Sequence, residues 1–317
     1  MIGVNDMNLQ TELAPAHKSG LKLKNPVMLA SGTFGYCVEN AKIADVPRLG
    51  AVICKGTTLR PRSGNAHPRM FETASGMLNA IGVQNPGIDV VIDKYAPIWE
   101  TWQTPVLVNI VGETVKEFAQ LAATLEGVAG VAGIEVNVSC PNIQEGGTVF
   151  GASPEAVASV TSAVRRATTL PIIVKLSPNN ADIRPTALAA ASSGADAVSL
   201  INTITGIGID ITNRRLTLGN GTGGLSGPAV KPIALRMVYE VARELRSSFP
   251  NVSVIGIGGI RTAEDALEFL IAGASAIQVG TANFANPRTG VEIVEGIEAF
   301  LRKEGIGDVR EIVGAVL

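Results

Sequence analysis

Eight short runs of apolar, mostly β-branched residues recur along the chain: "NPVMLASG" (25–32), "AVICKGTT" (51–58), "PVLVNIVG" (105–112), "GIEVNVSC" (133–140), "PIIVKLSP" (171–178), "AVSLINT" (197–203), "VSVIGIGGI" (252–260) and "AIQVGTA" (276–282). Each is apolar at nearly consecutive positions and not at alternate ones. That is the pattern of a parallel strand covered on both faces. Most gaps hold Ala-rich amphipathic stretches such as "ETVKEFAQLAATLEG". In "SPEAVASVTSAVRRATT", Ser153 is a helix N-cap followed by Pro154 at the first helical position. "TAEDALEFLIAGA" opens on Thr262 and closes on Gly273. Eight strand–helix units in one chain predict an α/β fold, a (β/α)8 TIM barrel spanning residues 1–317 as a single domain. A doubly wound open sheet is the alternative, and the count of eight disfavours it. Residues 59–104 and 204–251 exceed a bare strand–helix unit and are expected to carry insertions over the C-terminal mouth.

The rest of the composition narrows the class. A hydrophobic content of 46% over 317 residues supports a core of this size. The formal net charge is −2 with no basic block, which argues against nucleic acid as partner. No apolar run approaches the roughly 18–20 residues of a membrane span. The first residues, "MIGVNDMNLQTELAPAHKSG", lack the layout of a signal peptide, so the expected location is the cytoplasm. Cys37, Cys54 and Cys140 are too few and too scattered for a disulfide framework, a four-thiolate metal site or an iron–sulfur cluster. His17 and His67 are the only histidines, so acid–base chemistry falls to other groups and no metal is expected.

Polar residues and glycines gather at the C-terminal ends of the runs: Ser31, Lys55, Asn109, Asn137, Cys140, Lys175, Asn202, Thr203, Gly258, Gly259, Gly280 and Thr281. In a barrel these ends share one mouth, where active sites are built. "GIGGI" and "VGTA" end the seventh and eighth runs, the usual phosphate site of this fold. Their glycines let backbone N–H groups approach an anion, although they could equally relieve crowding at the rim. Lys55 and Lys175 follow apolar runs, so each is expected in a partly desolvated mouth. An anionic ligand accounts for both, and a Schiff-base lysine or a structural ion pair are the alternatives. Asn79, Asn109, Asn137, Asn142 and Asn202 form an amide-rich set suited to a planar heterocycle with both N–H and C=O edges; singly, each could be a turn residue. The loop "NAIGVQN" (79–85) is placed to offer backbone groups. Cys140 lies within this constellation, Cys37 follows "GTFGY" and is expected to lie nearby, and Cys54 reads as core. As a residue, Cys140 is either a packed strand-end thiol or a reagent.

Nine motifs, "LASGTFGY", "KGTT", "NAIGVQNPG", "NVSCPN", "KLSP", "INT", "GGLSGPAVKP", "IGIGGI" and "VGTA", occur in the order found in dihydroorotate dehydrogenases. The resemblance runs from about Asn25 to Thr281. "NVSCPN" resembles the class 1 form, in which the base is cysteine, and "IQEGGTVFG" is most like class 1B, the catalytic subunit of the NAD-linked enzyme. The resemblance implies FMN held over the mouth by Ser31, Lys55, Gly56, Asn109, Asn137, Lys175, Ile201, Gly227, Gly258, Gly259, Gly280 and Thr281. It implies dihydroorotate, oxidised to orotate in pyrimidine synthesis, held by Lys55, Asn79, Ala80, Ile81, Gly82, Val83, Asn137, Asn142, Asn202 and Thr203. Cys140 is then the general base, and Lys175 stabilises negative charge on the reduced ring.

No G-x-G-x-x-G fingerprint for a dinucleotide is present. The class 1B resemblance therefore implies a homodimer joined by a partner subunit carrying FAD and a 2Fe–2S cluster, a heterotetramer passing electrons to NAD+. Rival readings are a fumarate-using class 1A enzyme, a dihydropyrimidine dehydrogenase, a Schiff-base aldolase on a phosphate-binding barrel, and a non-enzymatic flavin-binding module.

Overall fold

The computed structural model describes residues 7–139, 144–145 and 148–317. Eight parallel strands close into a barrel. They are β1 (Val27–Leu29), β2 (Ala51–Ile53), β3 (Val106–Ile110), β4 (Gly133–Asn137), β5 (Ile172–Lys175), β6 (Ala197–Leu200), β7 (Ser253–Ile257) and β8 (Ala276–Val279). Closure comes from β8 pairing with β1, with Ile277 opposite Val27. All eight apolar runs are strands of this barrel, and no open edge is left, so the doubly wound alternative is set aside.

The near-continuous apolar pattern has two destinations. Side chains alternate across a strand. Val27, Val108, Val136, Val174 and Val198 pack outward in one large cluster with Phe118, Leu121, Val157 and Phe269 of the surrounding helices. The intervening residues Met28, Ala51, Leu107, Ile173, Ala197, Ile255 and Ala276 form a second cluster with Leu13, Ala14, Leu21 and Leu23. The latter four flank or belong to a short hairpin, Thr11–Glu12 with Lys22–Leu23. Thr11 Oγ1 donates to Ser275 O at 3.0 Å and Ser253 Oγ to Glu12 O at 3.4 Å, at the starts of β8 and β7. The hairpin therefore plugs the N-terminal end of the barrel.

Helices α1 (Val115–Leu125), α2 (Pro154–Ala167), α3 (Arg184–Ser192), α4 (Lys231–Ser248), α5 (Ala263–Ile271) and α6 (Thr289–Glu304) follow β3 to β8 in turn. Ser153 caps α2 as expected, accepting from Ala156 N at 3.2 Å. Thr262 and Asp265 form a capping box on α5. The first two connections depart from the repeat. After β1 the chain makes turns and a single 3-10 turn, Val46–Arg48. After β2 the helical stretch 88–99 widens to a π-helix over Val91–Tyr95. Pro97 lacks an N–H, and its ring crowds the carbonyl four residues earlier, which disfavours regular α geometry there.

Both long gaps hold insertions, as expected. One antiparallel sheet joins them in the order Ile204–Gly206, Gly223–Ser226, Gly76–Asn79, Met70–Thr73. Because the insertions leave from the C-terminal ends of β2 and β6, this sheet stands over the mouth. Among the described residues no helix is long and apolar enough to cross a membrane.

The plug makes a prediction. Leu13 is fully buried, and Leu13→Ala removes its methyl groups at the end opposite the mouth. Urea denaturation is expected to show a loss of about 2–5 kcal/mol, while ligand binding at the mouth stays at the wild-type level.

Candidate active site at the barrel mouth

Two residues beyond the inward apolar layer, the barrel interior turns polar: Leu107 is followed by Asn109, Gly133 by Glu135, Ile173 by Lys175, Ala197 by Ser199 and Ala276 by Gln278. Asn109, Glu135, Ser199 and Gln278 are 0% exposed. The Glu135 carboxylate accepts from Asn109 Nδ2 at 2.6 Å, Ser199 Oγ at 2.9 Å and Gln278 Nε2 at 2.8 Å. Lys175 Nζ lies 3.9 Å from Glu135 Oε2. Sequence reasoning passed over Glu135, Ser199 and Gln278. The available signal was a carboxylate, a hydroxyl and an amide inside otherwise apolar strands, where polar groups are rare unless partnered.

Above this layer the expected site residues meet. Lys175 Nζ donates to Ser31 Oγ at 3.3 Å, linking β5 to the end of β1. Asn137 Nδ2 donates to Asn109 Oδ1 at 3.4 Å. Asn137 Oδ1 in turn accepts from Ser139 Oγ at 3.0 Å and from Asn202 Nδ2 at 3.4 Å. Asn202 Nδ2 also donates to Ser139 Oγ at 2.9 Å, and Asn202 Oδ1 accepts from Thr203 N at 2.8 Å. Asn79 is not joined to this network by any hydrogen bond among the described residues: its amide donates to Gly224 O at 3.2 Å, the residue opposite it in the insertion sheet. Gly224 faces Thr203 so closely that a Cβ there would lie 1.9 Å from the threonine hydroxyl.

Lys55 is half-buried at the end of β2, and among the described residues it makes no ion pair. Burial lowers its pKa, and the positive charge of Arg69 lowers it further. A partly desolvated lysine that also feels the field of a second cation is stabilised in its charged form by a nearby anion.

On the opposite side, Gly227, Gly258, Gly259, Gly280 and Thr281 come together between β7 and β8. Gly258 and Gly259 have φ of +134° and +76°. A Cβ on Gly259 would meet Lys231 Cβ at 2.8 Å and Lys231 N at 2.9 Å. At Gly280 only Ala30 lies within reach, at 3.7 Å, so the space beside it is open. A Cβ on Gly258 would touch Ile201 Cγ1 at 3.5 Å, which brings Ile201 to the same wall. Thr281 Oγ1 donates to Ser226 Oγ at 2.8 Å, tying the cradle to the insertion sheet. After β8 the helical turn Ala282–Ala285 is only four residues long, so backbone amides and not a helix dipole dominate here.

The loop 79–83 is partly committed to the insertion. Ala80 N donates to Arg69 O, Ala80 O accepts from Asn65 Nδ2, and Ile81 O accepts from Asn65 N. Arg69 braces it by donating to Asn65 O, Gln84 Oε1 and Ser63 O. Gly82 follows, and Val83 adopts φ +52°, a left-handed conformation that a β-branched residue enters only at a cost of about 1–3 kcal/mol. Its methyl group stands beside Gly56, where a Cβ would lie 3.5 Å from Val83 Cγ1 and 3.1 Å from Asn109 Oδ1.

Cys37 and Cys54 are fully buried, so Cys37 is a core thiol like Cys54 and takes no place in the mouth. Burial drives the Cys37 thiol well above its usual range and pushes Cys54 up to about 12. Cys140 and Asn142 lie outside the described residues; Cys140 directly follows Ser139, whose hydroxyl belongs to the amide network.

Fold and mouth together define a (β/α)8-barrel enzyme with a glycine-lined cradle between β7 and β8 and a polar pocket over β2 to β6. A family model described as dihydroorotate dehydrogenase matches residues 14–301. The chain is 54% identical over 299 residues to the dihydroorotate dehydrogenase B (NAD(+)) catalytic subunit of Geotalea uraniireducens, covering 94% of this chain and 96% of that one. It is 50% identical over 310 residues to the protein of the same name from Thermoanaerobacter pseudethanolicus, covering 98% and 99%. Among solved structures, a DHODH from Eimeria tenella in complex with ferulenol superposes with a TM-score of 0.80 at 23% identity, covering 100% of this chain and 90% of that one, a likeness of fold. The chain belongs to the dihydroorotate dehydrogenase family.

The thiol environments give a pH prediction. A raised pKa keeps a thiol protonated and unreactive until the pH passes it. In native protein at pH 8, a thiol reagent is therefore expected to leave Cys37 and Cys54 unmodified, whereas denatured protein yields all three thiols. Peptide mapping that finds label on either buried cysteine in native protein contradicts the burial described here.

Proposed function

We propose that this chain is the catalytic subunit of an NAD-linked dihydroorotate dehydrogenase, oxidising dihydroorotate to orotate in pyrimidine synthesis with FMN as its cofactor. The observation that carries this reading is the mouth itself: a glycine cradle on one side, an amide network on the other, and two lysines between them. These residues fit FMN. The open space beside Gly280 and the positive-φ glycines suit a phosphate, while Ser31, Lys175, Asn109 and Asn137 supply donors and acceptors for a flat polar ring.

FMN, when bound, supplies a two-electron acceptor. The chain's own groups perform the rest. Lys55 attracts the substrate carboxylate, with Arg69 adding to the positive field. Asn79, Asn137, Asn142, Asn202 and Thr203 hold the N–H and C=O edges of the pyrimidine. The strained Val83 and its neighbours Ala80, Ile81 and Gly82 wall the pocket and exclude water. Cys140, as thiolate, takes the proton from C5 while the hydride leaves C6, so a C–H pair on adjacent carbons becomes the double bond of orotate. Lys175, seated between Glu135 and Ser31, presents positive charge where negative charge develops.

The lack of a dinucleotide fingerprint supports a division of labour in which a separate subunit with FAD and a 2Fe–2S cluster relays electrons to NAD+, around a homodimer of this chain in a cytoplasmic heterotetramer. Co-purification from the native source, assayed with NAD+ and with fumarate, tests that assembly.

Cys140→Ser is expected to slow anaerobic flavin reduction by dihydroorotate about 10²–10⁴-fold at neutral pH. In the unsubstituted enzyme the rate should climb as pH rises toward the ordinary thiol range near about 8.5. Stopped-flow reduction at full rate in the variant would remove Cys140 from the mechanism. Gly259→Ala tests the cradle: its φ and its contact with Lys231 predict a destabilisation above about 1 kcal/mol. FMN affinity should fall while riboflavin, lacking the phosphate, binds as before. Equal losses for both flavins would place the phosphate elsewhere.

A further inference from the structure

Glu135 and Lys175 are the only buried charged side chains among the described residues, and they face each other inside the barrel. Nothing in the proposed chemistry requires a carboxylate beneath the mouth. Its cost is real, because a buried charge is unfavourable unless paired and hydrogen-bonded. Its placement is also fixed from several sides. Ser199 of β6 and Gln278 of β8 hold Oε1, while Asn109 of β3 and Lys175 of β5 face Oε2.

The consequence lies in the direction of the hydrogen bonds above it. A carboxylate only accepts, whereas an amide both donates and accepts. Glu135 therefore turns the Asn109 NH2 group downward and leaves Asn109 Oδ1 facing the mouth. That oxygen accepts from Asn137 Nδ2, so Asn137 Oδ1 is left to accept from Ser139 and Asn202. Each amide in the string has its orientation set by the one below, and the string begins at Glu135. The same carboxylate supplies the counter-charge to Lys175, whose Nζ reaches only one other described side chain, Ser31, at 3.3 Å.

We propose that Glu135 is a positioning residue that fixes the polarity of the Asn109–Asn137–Asn202 string presented to the pyrimidine and balances the charge of Lys175 beneath the flavin. The proposal rests on the FMN reading given above. It explains why the polar layer is anchored by an acid: a neutral amide at 135 would permit the string to run in either direction, and an unbalanced Lys175 would draw excess negative charge onto the cofactor.

The test uses the FMN-loaded full chain and its isosteric variant Glu135→Gln, with two readouts other than turnover. The first is orotate affinity, followed by the perturbation of the flavin spectrum. It is expected to weaken about tenfold as the amide string loses its fixed direction. The second is sulfite affinity. Sulfite adds to an oxidised flavin and leaves negative charge on the ring, so loss of the counter-charge is expected to tighten it about tenfold, equivalent to about 30 mV for a two-electron couple. Replacing both charges, in Glu135→Gln with Lys175→Met, restores a neutral pair and should return sulfite affinity to within about threefold of wild type. Because whole-pair replacement is commonly tolerated in a core, the double variant is informative even where Glu135→Gln alone does not fold.

Yellow Glu135→Gln protein with wild-type orotate and sulfite affinities overturns the inference and leaves the FMN reading intact. A double variant shifted tenfold in sulfite affinity overturns the counter-charge role. Wild-type protein that takes up no FMN overturns the cofactor reading and this inference with it.

Discussion

The carboxylate of Glu135 sits at the centre of the barrel with three hydrogen-bond donors around it and an ammonium 3.9 Å away. Such a group is tolerable only where every partner is held in place, because removing one leaves an uncompensated charge in a low-dielectric interior. The donors come from β3, β6 and β8 and the ammonium from β5, so five of the eight strands, β4 included, must keep their register for the network to exist. A slip of one residue would turn each of these side chains to the outer face. Closure of the barrel and assembly of the polar layer are therefore one constraint: the ring of strands positions the network, and the network penalises every other register.

The rest of the molecule stabilises that arrangement from outside and below. The outward faces of the strands merge with the helices into one apolar cluster, and the N-terminal hairpin seals the floor with Leu13, Leu21 and Leu23. Water is thereby kept from the carboxylate on all sides but the mouth. There the antiparallel sheet formed by the two insertions takes over, linked to the cradle by Ser226 and Thr281 and brought against the amide network where Gly224 packs on Thr203, the neighbour of Asn202. The strain at Val83 is consistent with this division. A β-branched residue at φ +52° persists only where its surroundings hold it: Asn85 Nδ2 donates to Val83 O at 2.8 Å, and Arg69 braces Ser63, Asn65 and Gln84 around the loop.

The eight strands were legible because burial on both faces writes an unbroken apolar run, and the mouth was legible because each run ends in a polar residue or glycine. Ser153 and Thr262 announced their helices by the same local rules that make them good caps. Other features left weaker traces. Glu135, Ser199 and Gln278 each occupy one inward position in an apolar strand, and a single polar residue does not interrupt the pattern enough to mark a layer. Only the closed ring shows that they converge. The missing helix after β1 and the irregular one after β2 follow from packing and from Pro97, not from the periodicity that guided the reading. Cys37 follows a strand that ends at the mouth yet is core in space, fully buried in the outer apolar cluster with Cys54.

Along β3, β4, β5, β6 and β8 the change from apolar filling to polar layer takes two residues, about 6–7 Å at 3.3 Å per residue. Leu107 and Asn109, or Ile173 and Lys175, point the same way and differ only in depth. That short interval makes the two demands on the barrel interior separable. Below it, inward side chains need volume and no polarity, and the plug shields them. Above it, inward polar groups need partners because burial without one is costly, and the layer meets that demand around Glu135 while leaving Gln278 Oε1 without one among the described residues. The site therefore depends on the apolar layer mechanically and on Glu135 electrostatically. The first dependence concerns how firmly the strands are held. The second concerns which way each amide points, since Asn109 Oδ1 accepts from Asn137 Nδ2 while its own Nδ2 is engaged by Glu135.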